Sequence, residues 1–444
     1  MIAADATVGV PIHRLRGEPL STKPCVVLVD TYETADHGLP QTARHIAPTF
    51  LALGAECVRV QSAPDAPGQY RKSSPTMSNY RENIVHDGDL GKTLDALAAH
   101  RPVAVVAGGE YAVAFTDELS EALGVPTNGT ALSLARRDKS AMGEAVAAAG
   151  LEGARQLLTA DEAELAAWHR KTGGRIVVKP NRSAGGDGVS FCDTPEQSVA
   201  ALRAITGRQN VFSEDNDTVI AQEYLAGTEY MVNTVSMDGL HQVCDIWQTS
   251  RFAVNGVSDL LGACRIVPRR APGHDELVEY AFAVLDAVGI RHGAAHVEIK
   301  LTPRGPRLIE VGSRLSGGDL PHLARLAIGE SQLDWMADAV LRPERFRERW
   351  GEDYRIRRHY AWSALLSPVE GTLRRYTVLD EIERLESFHE MFVLTQPGKP
   401  LRRTVDDTTF PVVVTFMHEI EEYVLRDLGT LRYLDGVGCY ELES

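Results

Sequence analysis

Two short runs, His296-Val-Glu-Ile-Lys-Leu301 and Arg307-Leu-Ile-Glu-Val311, flank the segment Thr302-Pro-Arg-Gly-Pro306. The middle piece is turn chemistry throughout, so the flanks predict an antiparallel hairpin centred near Arg304. That centre places residues 298 and 310 opposite each other. Directly opposed side chains on one face have Cβ atoms roughly 4.5–5.5 Å apart, and like charges there repel. Both positions are glutamate. Two carboxylates held in this way need a cation or a shared proton. Oxygen ligands in this number suit Mg²⁺, which completes its shell with water and substrate phosphate; Mn²⁺ is the alternative. The competing reading is an exposed hairpin whose glutamates sit in water, and a one-residue slip in register would separate the pair.

The segments around this hairpin carry further chemistry. Gly312-Ser-Arg-Leu-Ser-Gly-Gly318 follows it directly and sets Arg314 beside the carboxylates, where a guanidinium would stabilise a transferring phosphoryl group or grip a carboxylate. Upstream, Lys179 ends an apolar run and opens Lys179-Pro-Asn-Arg-Ser-Ala-Gly-Gly-Asp-Gly-Val189. A lysine followed by a loop rich in backbone N–H groups makes a phosphate cradle able to close as a lid. Asp187-Gly188 also reads as a plain hairpin turn. The loop matches neither a Walker A motif nor a Rossmann fingerprint. Val219-Ile-Ala-Gln-Glu-Tyr-Leu225 then breaks at Gly227 before Thr228 and Glu229. A strand edge broken at glycine exposes the main-chain groups that an adenine edge requires, although an ordinary surface connection has the same appearance.

A chain of 444 residues is expected to form two to four compact units. Cys25 to Asp30, Cys57 to Val60 and Val103 to Ala107 read as buried parallel strands, interleaved with helical stretches at His45 to Leu53 and Asp89 to His100. This alternation predicts a doubly wound parallel α/β domain over residues 1–132. Gly108-Gly109-Glu110 lies where such folds bind ligands, beyond the carboxyl end of a strand. From a helix over Ser133 to Ala149 onward, antiparallel signals take over, including Glu229 to Met237 turned by Asp238-Gly239 into His241 to Trp247. A second unit is assigned to 133–345, with a lid over roughly 150–225, and a small α+β unit to 346–444. The net charge of -15 argues against nucleic acid and against anionic membranes as partners. Six scattered cysteines without CxxC spacing read as reduced thiols. With no apolar run of spanning length and no export-type start, a cytoplasmic location is expected.

The order of these pieces resembles the ATP-grasp superfamily and, within it, the amino-acid ligases that join two amino acids as a dipeptide. The resemblance spans roughly residues 131–318 and is weaker on either side. It implies a central ATP-grasp fold of two α+β subdomains with a mobile lid. Within Arg137-Asp-Lys-Ser-Ala-Met142, Lys139 matches the first nucleotide-binding lysine, and Lys179 matches the second. Ser183, Gly185, Gly186 and Gly188 correspond to the lid loop. Glu223, Tyr224 and Leu225 correspond to the adenine hinge, and Glu229 to the acid near the ribose. Glu298 and Glu310 match the metal ligands. Ser316, Gly317 and Gly318 resemble the loop that takes a substrate carboxylate on main-chain amides. His296 also resembles this branch, with a structural strand histidine as its other reading. Glu110, Arg265 and the stretch Trp247 to Ser258 are expected to line the substrate pockets. One departure is plain: many members carry asparagine two residues after the second glutamate, and this chain has Gly312.

The implied reaction is activation of an amino acid or small carboxylic acid by ATP as an acyl phosphate, followed by attack of an amine. Lys179, Arg314 and His296 are the expected catalytic groups. The partners are then small acids and amino acids, with a homodimer as the expected assembly. Two other outcomes share these residues: a carboxylase-like or purine-pathway ligase, and a nucleotide-binding regulatory protein without catalysis. No biotin-attachment segment is present, so a carboxylase would need a separate carrier.

Overall fold

The computed structural model describes residues 23–35, 38–73 and 75–443. The first 22 residues, over which no export signal is expected, lie outside the described residues. Cys25–Val29 is buried at every position, as an all-apolar β-branched run requires. It pairs in parallel with Glu56–Gln61 on one side and Pro102–Ala107 on the other. A fourth parallel strand, Glu82–Val85, forms the edge beside Glu56–Gln61. Only Ile84 of that strand is buried, so its sequence carries no apolar run to announce it. Strand order changes direction between Cys25–Val29 and Pro102–Ala107, and the carboxyl ends of these two strands deliver Tyr32 and Gly108 to Glu110 to a common crevice. Glycine is required at 108, where a Cβ would lie 2.6 Å from the Val29 and Asp30 carbonyl oxygens.

The predicted helix over Ser133 to Ala149 is divided. A 3₁₀ turn, Leu134–Arg136, precedes the helix Lys139–Ala148. Asp138 is extended between them, and its carboxylate accepts from the Ala141 amide at 3.0 Å. This N-cap starts the helix one residue later, at Lys139.

An antiparallel sheet of eight strands forms the body. Its order is Gly305–Gly312, Gly293–Thr302, Thr228–Met237, Leu240–Val254, Val257–Val267, His359–Ala364, Val412–His418 and Phe388–Val393. The last three strands come from the C-terminal hundred residues and continue the sheet without a break. Asp238 and Gly239 form the two-residue turn between Met237 and Leu240, both with positive φ, as foreseen for that dipeptide. A smaller antiparallel sheet orders Gln156–Thr159, Val219–Glu223, Ile176–Pro180 and Ser190–Cys192. Its apolar face is covered by the helices Glu162–Thr172 and Pro195–Ile205, through Leu165, Ala201, Leu202 and Ile205. The molecule thus joins a doubly wound parallel domain to α+β units, as the sequence reading expects. No helix among the described residues is long and apolar enough to cross a membrane.

Candidate active site

The strands Gly293–Thr302 and Gly305–Gly312 pair around a two-residue turn, Pro303 and Arg304, closed by Thr302 opposite Gly305. Counted from that turn alone, Glu298 would face Ile309. A register shift between Glu298 and Ile299 admits one extra residue on the second strand, and Glu298 faces Glu310. The bulge therefore creates the carboxylate pair. Each member has its own partner: Lys139 Nζ donates to Glu310 Oε1 at 3.1 Å, and His296 Nε2 lies 3.1 Å from Glu298 Oε1.

His296 is aimed from behind. Asn233 gives its amide N–H to the buried Asp245 at 2.5 Å, which leaves Asn233 Oδ1 to accept from His296 Nδ1 at 2.8 Å. Both ring nitrogens thus point at acceptors. Burial works to raise the Glu298 carboxyl, but the His296 hydrogen bond and the charges of His296, Arg251 and Arg314 bring it down to about 2. Glu298 is an anion at neutral pH.

Lys179 ends the buried strand Ile176–Pro180 and is itself buried. Desolvation and the neighbouring Lys139 lower its ammonium to about 8, against the pull of Glu310, Glu298 and Glu229. Lys139 Nζ also donates to the Ser183 carbonyl at 2.8 Å, tying the start of the central helix to the glycine-rich loop. Ser183 donates to Asp187 at 2.7 Å across that loop, and Gly185, Gly186 and Gly188 all have positive φ. At the hinge, the Glu223 and Tyr224 amides donate to the Arg155 and Arg175 carbonyls. The Leu225 amide has no hydrogen bond among the described residues. Glu229 is gripped by Arg251 through bonds of 2.9 and 2.5 Å, with Lys300 at 3.9 Å.

Arg314 crosses to the N-terminal domain, where its Nε donates to Glu110 Oε2 at 2.9 Å; Arg137 approaches the other oxygen at 3.4 Å. Burial pushes the Glu110 carboxyl up, and Arg314, Arg137 and Lys139 outweigh it and hold it below the ordinary range. The same carboxylate accounts for Gly312: a Cβ on residue 312 would lie 2.8 Å from Glu110 Oε2 and 3.3 Å from the Arg314 guanidinium. The space of the family asparagine is filled by an ion pair. Beyond it, the Ser316 amide donates to Gln332 at 2.9 Å, whereas the Gly317 and Gly318 amides have no hydrogen bond among the described residues.

Most of these groups line one cavity of about 600 Å³. It contains every individually predicted site residue except Gly188 and Arg265, and of the stretch Trp247 to Ser258 it contains only Arg251 and Val257. Gly188 packs against Pro180 at the base of the loop. Arg265 is turned away, its guanidinium donating to Glu421 at 2.5 Å and Gln248 at 2.8 Å. The cavity also has walls that sequence reading missed. Tyr70 stacks on Tyr32 with centroids 5.4 Å apart and tilts against Tyr111 at 5.1 Å, forming an aromatic wall beside Glu110. From the C-terminal region come His389, Phe392, Asp406 and Asp407. No motif marks these residues; only the long-range pairing of the sheet brings them in.

An opposed carboxylate pair, two lysines, a glycine-rich loop and a hinge with a free amide thus share one cavity. An ATP-grasp domain model matches residues 173–321. Dapdiamide A synthase of Enterobacter agglomerans is 32% identical over 419 residues, which is 93% of this chain and 96% of the relative. An L-arginine-specific L-amino acid ligase of Bacillus subtilis is 21% identical over 288 residues, covering 62% of this chain and 65% of that one. The solved structure of an L-amino acid ligase from Bacillus licheniformis superposes with a TM-score of 0.69 at 17% identity, over 95% of this chain and 99% of the other. The chain belongs to the ATP-grasp superfamily. It is an ATP-dependent enzyme that forms carbon–nitrogen bonds.

Proposed function

We propose that the chain activates the carboxylate of an amino acid or small carboxylic acid as an acyl phosphate and joins it to the amine of a second amino acid. The observation that carries this reading is the convergence, in one cavity, of the Glu298/Glu310 pair with the Glu110–Arg314 ion pair. The first suits a metal–triphosphate, and the second suits the charged ends of a small zwitterion. The opposed carboxylates are hard oxygen donors whose only close side-chain partners among the described residues are Lys139 and His296, so the donor set fits Mg²⁺. Bound there by Glu298 and Glu310, the metal would neutralise phosphate charge.

The chain's own groups do the rest. Leu225 receives the purine edge. Lys139 and Lys179 face the phosphates under the loop of Ser183 to Gly188. An acid oxygen attacks the γ-phosphorus and ADP leaves, with Lys179 and Arg314 balancing the charge that develops. The amine nitrogen then attacks the acyl carbon and phosphate leaves. The Gly317 and Gly318 amides are the donors for the oxyanion or the substrate carboxylate. The closed lid keeps water from the acyl phosphate. The similarity to dapdiamide A synthase supports an amide product, and that to L-amino acid ligases supports amino-acid substrates. Buried free thiols and the need for ATP support a cytoplasmic setting.

Phosphate release from ATP across a matrix of single and paired amino acids, with mass analysis of products, tests the proposal. Release that requires a specific pair and yields the dehydrated sum of its masses is expected. Release independent of every amino acid would overturn it.

A further inference from the structure

An amino acid attacks only after its ammonium group loses a proton, because the cationic form has no lone pair to give. The acyl-phosphate reading above therefore demands a proton acceptor inside the cavity, and most of the acidic groups there are already engaged. Glu298 and Glu310 form the metal pair. Glu110 is locked between Arg314 and Arg137. Glu229 is held by Arg251, and Asp259 accepts from Lys300 at 2.9 Å. Glu223 accepts from Arg155 at 2.9 Å, and Asp319 is bonded to Arg44 with His45 at 3.1 Å.

The histidines fare no better. Both nitrogens of His296 face acceptors. His322 stacks on His45 with centroids 4.5 Å apart; burial lowers it and the His45 and Arg44 charges lower it further, which opposes proton uptake. His389 and Glu390 lie at the exposed rim.

Asp407 is different. Its Oδ1 is buried and has no hydrogen-bond partner among the described residues. The carboxylate lines the cavity against the glycine-rich loop, where a Cβ on Gly185 would lie 2.8 Å from Asp407 Oδ2. The turn that presents it is rigid: Asn255 Nδ2 donates to the Ser367 and Thr404 carbonyls, each at 2.8 Å, and the Asp406 amide donates to Thr409 Oγ1 at 3.1 Å. The titratable groups that face Asp407 are Asp406 beside it, Asp187 of the loop and the Tyr70 phenol, which also senses Arg314 and Glu110. None of the three is cationic.

We propose that Asp407 is a catalytic base of this ligase: it accepts one proton from the substrate ammonium, the neutral amine so formed attacks the acyl carbon, and the departing phosphate carries off the second nitrogen proton. A cavity carboxylate with one oxygen free of partners is an ammonium receptor before it is a base, so the same group positions the nitrogen. Burial, Asp406 and Asp187 push its carboxyl up to about 7, against the backbone amides of Asp407 and Thr408, which matches proton transfer near neutral pH.

The test uses the full chain and the acid–amine pair of highest turnover from the matrix, run again with hydroxylamine in place of the amine. Hydroxylamine is neutral at neutral pH and attacks acyl phosphates without a base. Asp407→Asn should lower amide formation about 100-fold more than hydroxamate formation. In the unsubstituted enzyme, the amide rate should rise with pH through about 7, and Asp407→Asn should remove that limb. Equal losses with both nucleophiles would overturn the proposal, since they would mark a lid or folding defect, and so would full activity with both. If the unsubstituted enzyme forms no hydroxamate from any acid, the acyl-phosphate reading itself fails and the base falls with it.

Discussion

Lys179 shows how a single environment sets a property that sequence cannot display. Its place at the end of an apolar run is legible, but its ammonium falls to about 8 only because folding buries it beside Lys139. The charged form binds phosphate, so a bound triphosphate raises the lysine's proton affinity. ATP affinity should therefore fall as pH rises through about 8, and binding there should take up a proton, read by calorimetry in buffers of different ionisation enthalpy. Glu310→Gln removes one of two opposed carboxylates. Turnover should drop by at least about 100-fold, the equivalent of several kcal/mol of charge stabilisation. The unfolding midpoint should change little, because relief of the carboxylate repulsion offsets the loss of the Lys139 ion pair. Full activity in this variant would refute the metal assignment. Glu110 and Glu298 were readable as candidates from position alone. His296, two residues before Glu298, was readable as well, whereas Arg137 as a partner of Glu110 and Asn233 as the support of His296 become visible only when distant segments meet.

Among the elements, the hairpin is the instructive case. Turn residues and alternation indicate two paired strands, and the facing of Glu298 and Glu310 follows from a centre at Arg304. The structure reaches that facing by a tighter turn and a bulge at Ile309. Two offsets that cancel leave no trace in the pattern of residue types. The hinge is similarly local in cause. Gly227 runs so close to the neighbouring strand that a Cβ would lie 2.4 Å from the Leu301 carbonyl oxygen, and backbone cannot swing aside. Gly227→Ala should cost about 1–3 kcal/mol in urea unfolding. It should also raise KM for ATP, since the displaced segment begins two residues after Leu225.

For the molecule as a whole, the N-terminal and central units are joined through a buried charge. Arg136, fully buried, donates to Asp117 at 2.9 and 3.1 Å, to the Val288 carbonyl at 3.0 Å and to the Gly129 carbonyl. Asp117→Leu would strand that guanidinium without a counter-ion. A loss of about 3–5 kcal/mol is expected, visible as a lower melting temperature and earlier proteolysis between the two units. The parallel domain was legible because β-branched runs alternate with helical stretches. The C-terminal region was legible only as a mixed α+β unit, and the membership of three of its strands in the eight-stranded sheet was not, because it depends on partners roughly 50 to 100 residues away. That pairing carries Asp407 to the lid.

The contact between Gly312 and Glu110 sets an exclusion rule for the lineage. A side chain at 312 and a glutamate at 110 compete for one volume, so Gly312→Asn on its own should impair the enzyme and not supply an extra ligand. Relatives with asparagine at this position are expected to carry a smaller or differently directed residue at the position of Glu110.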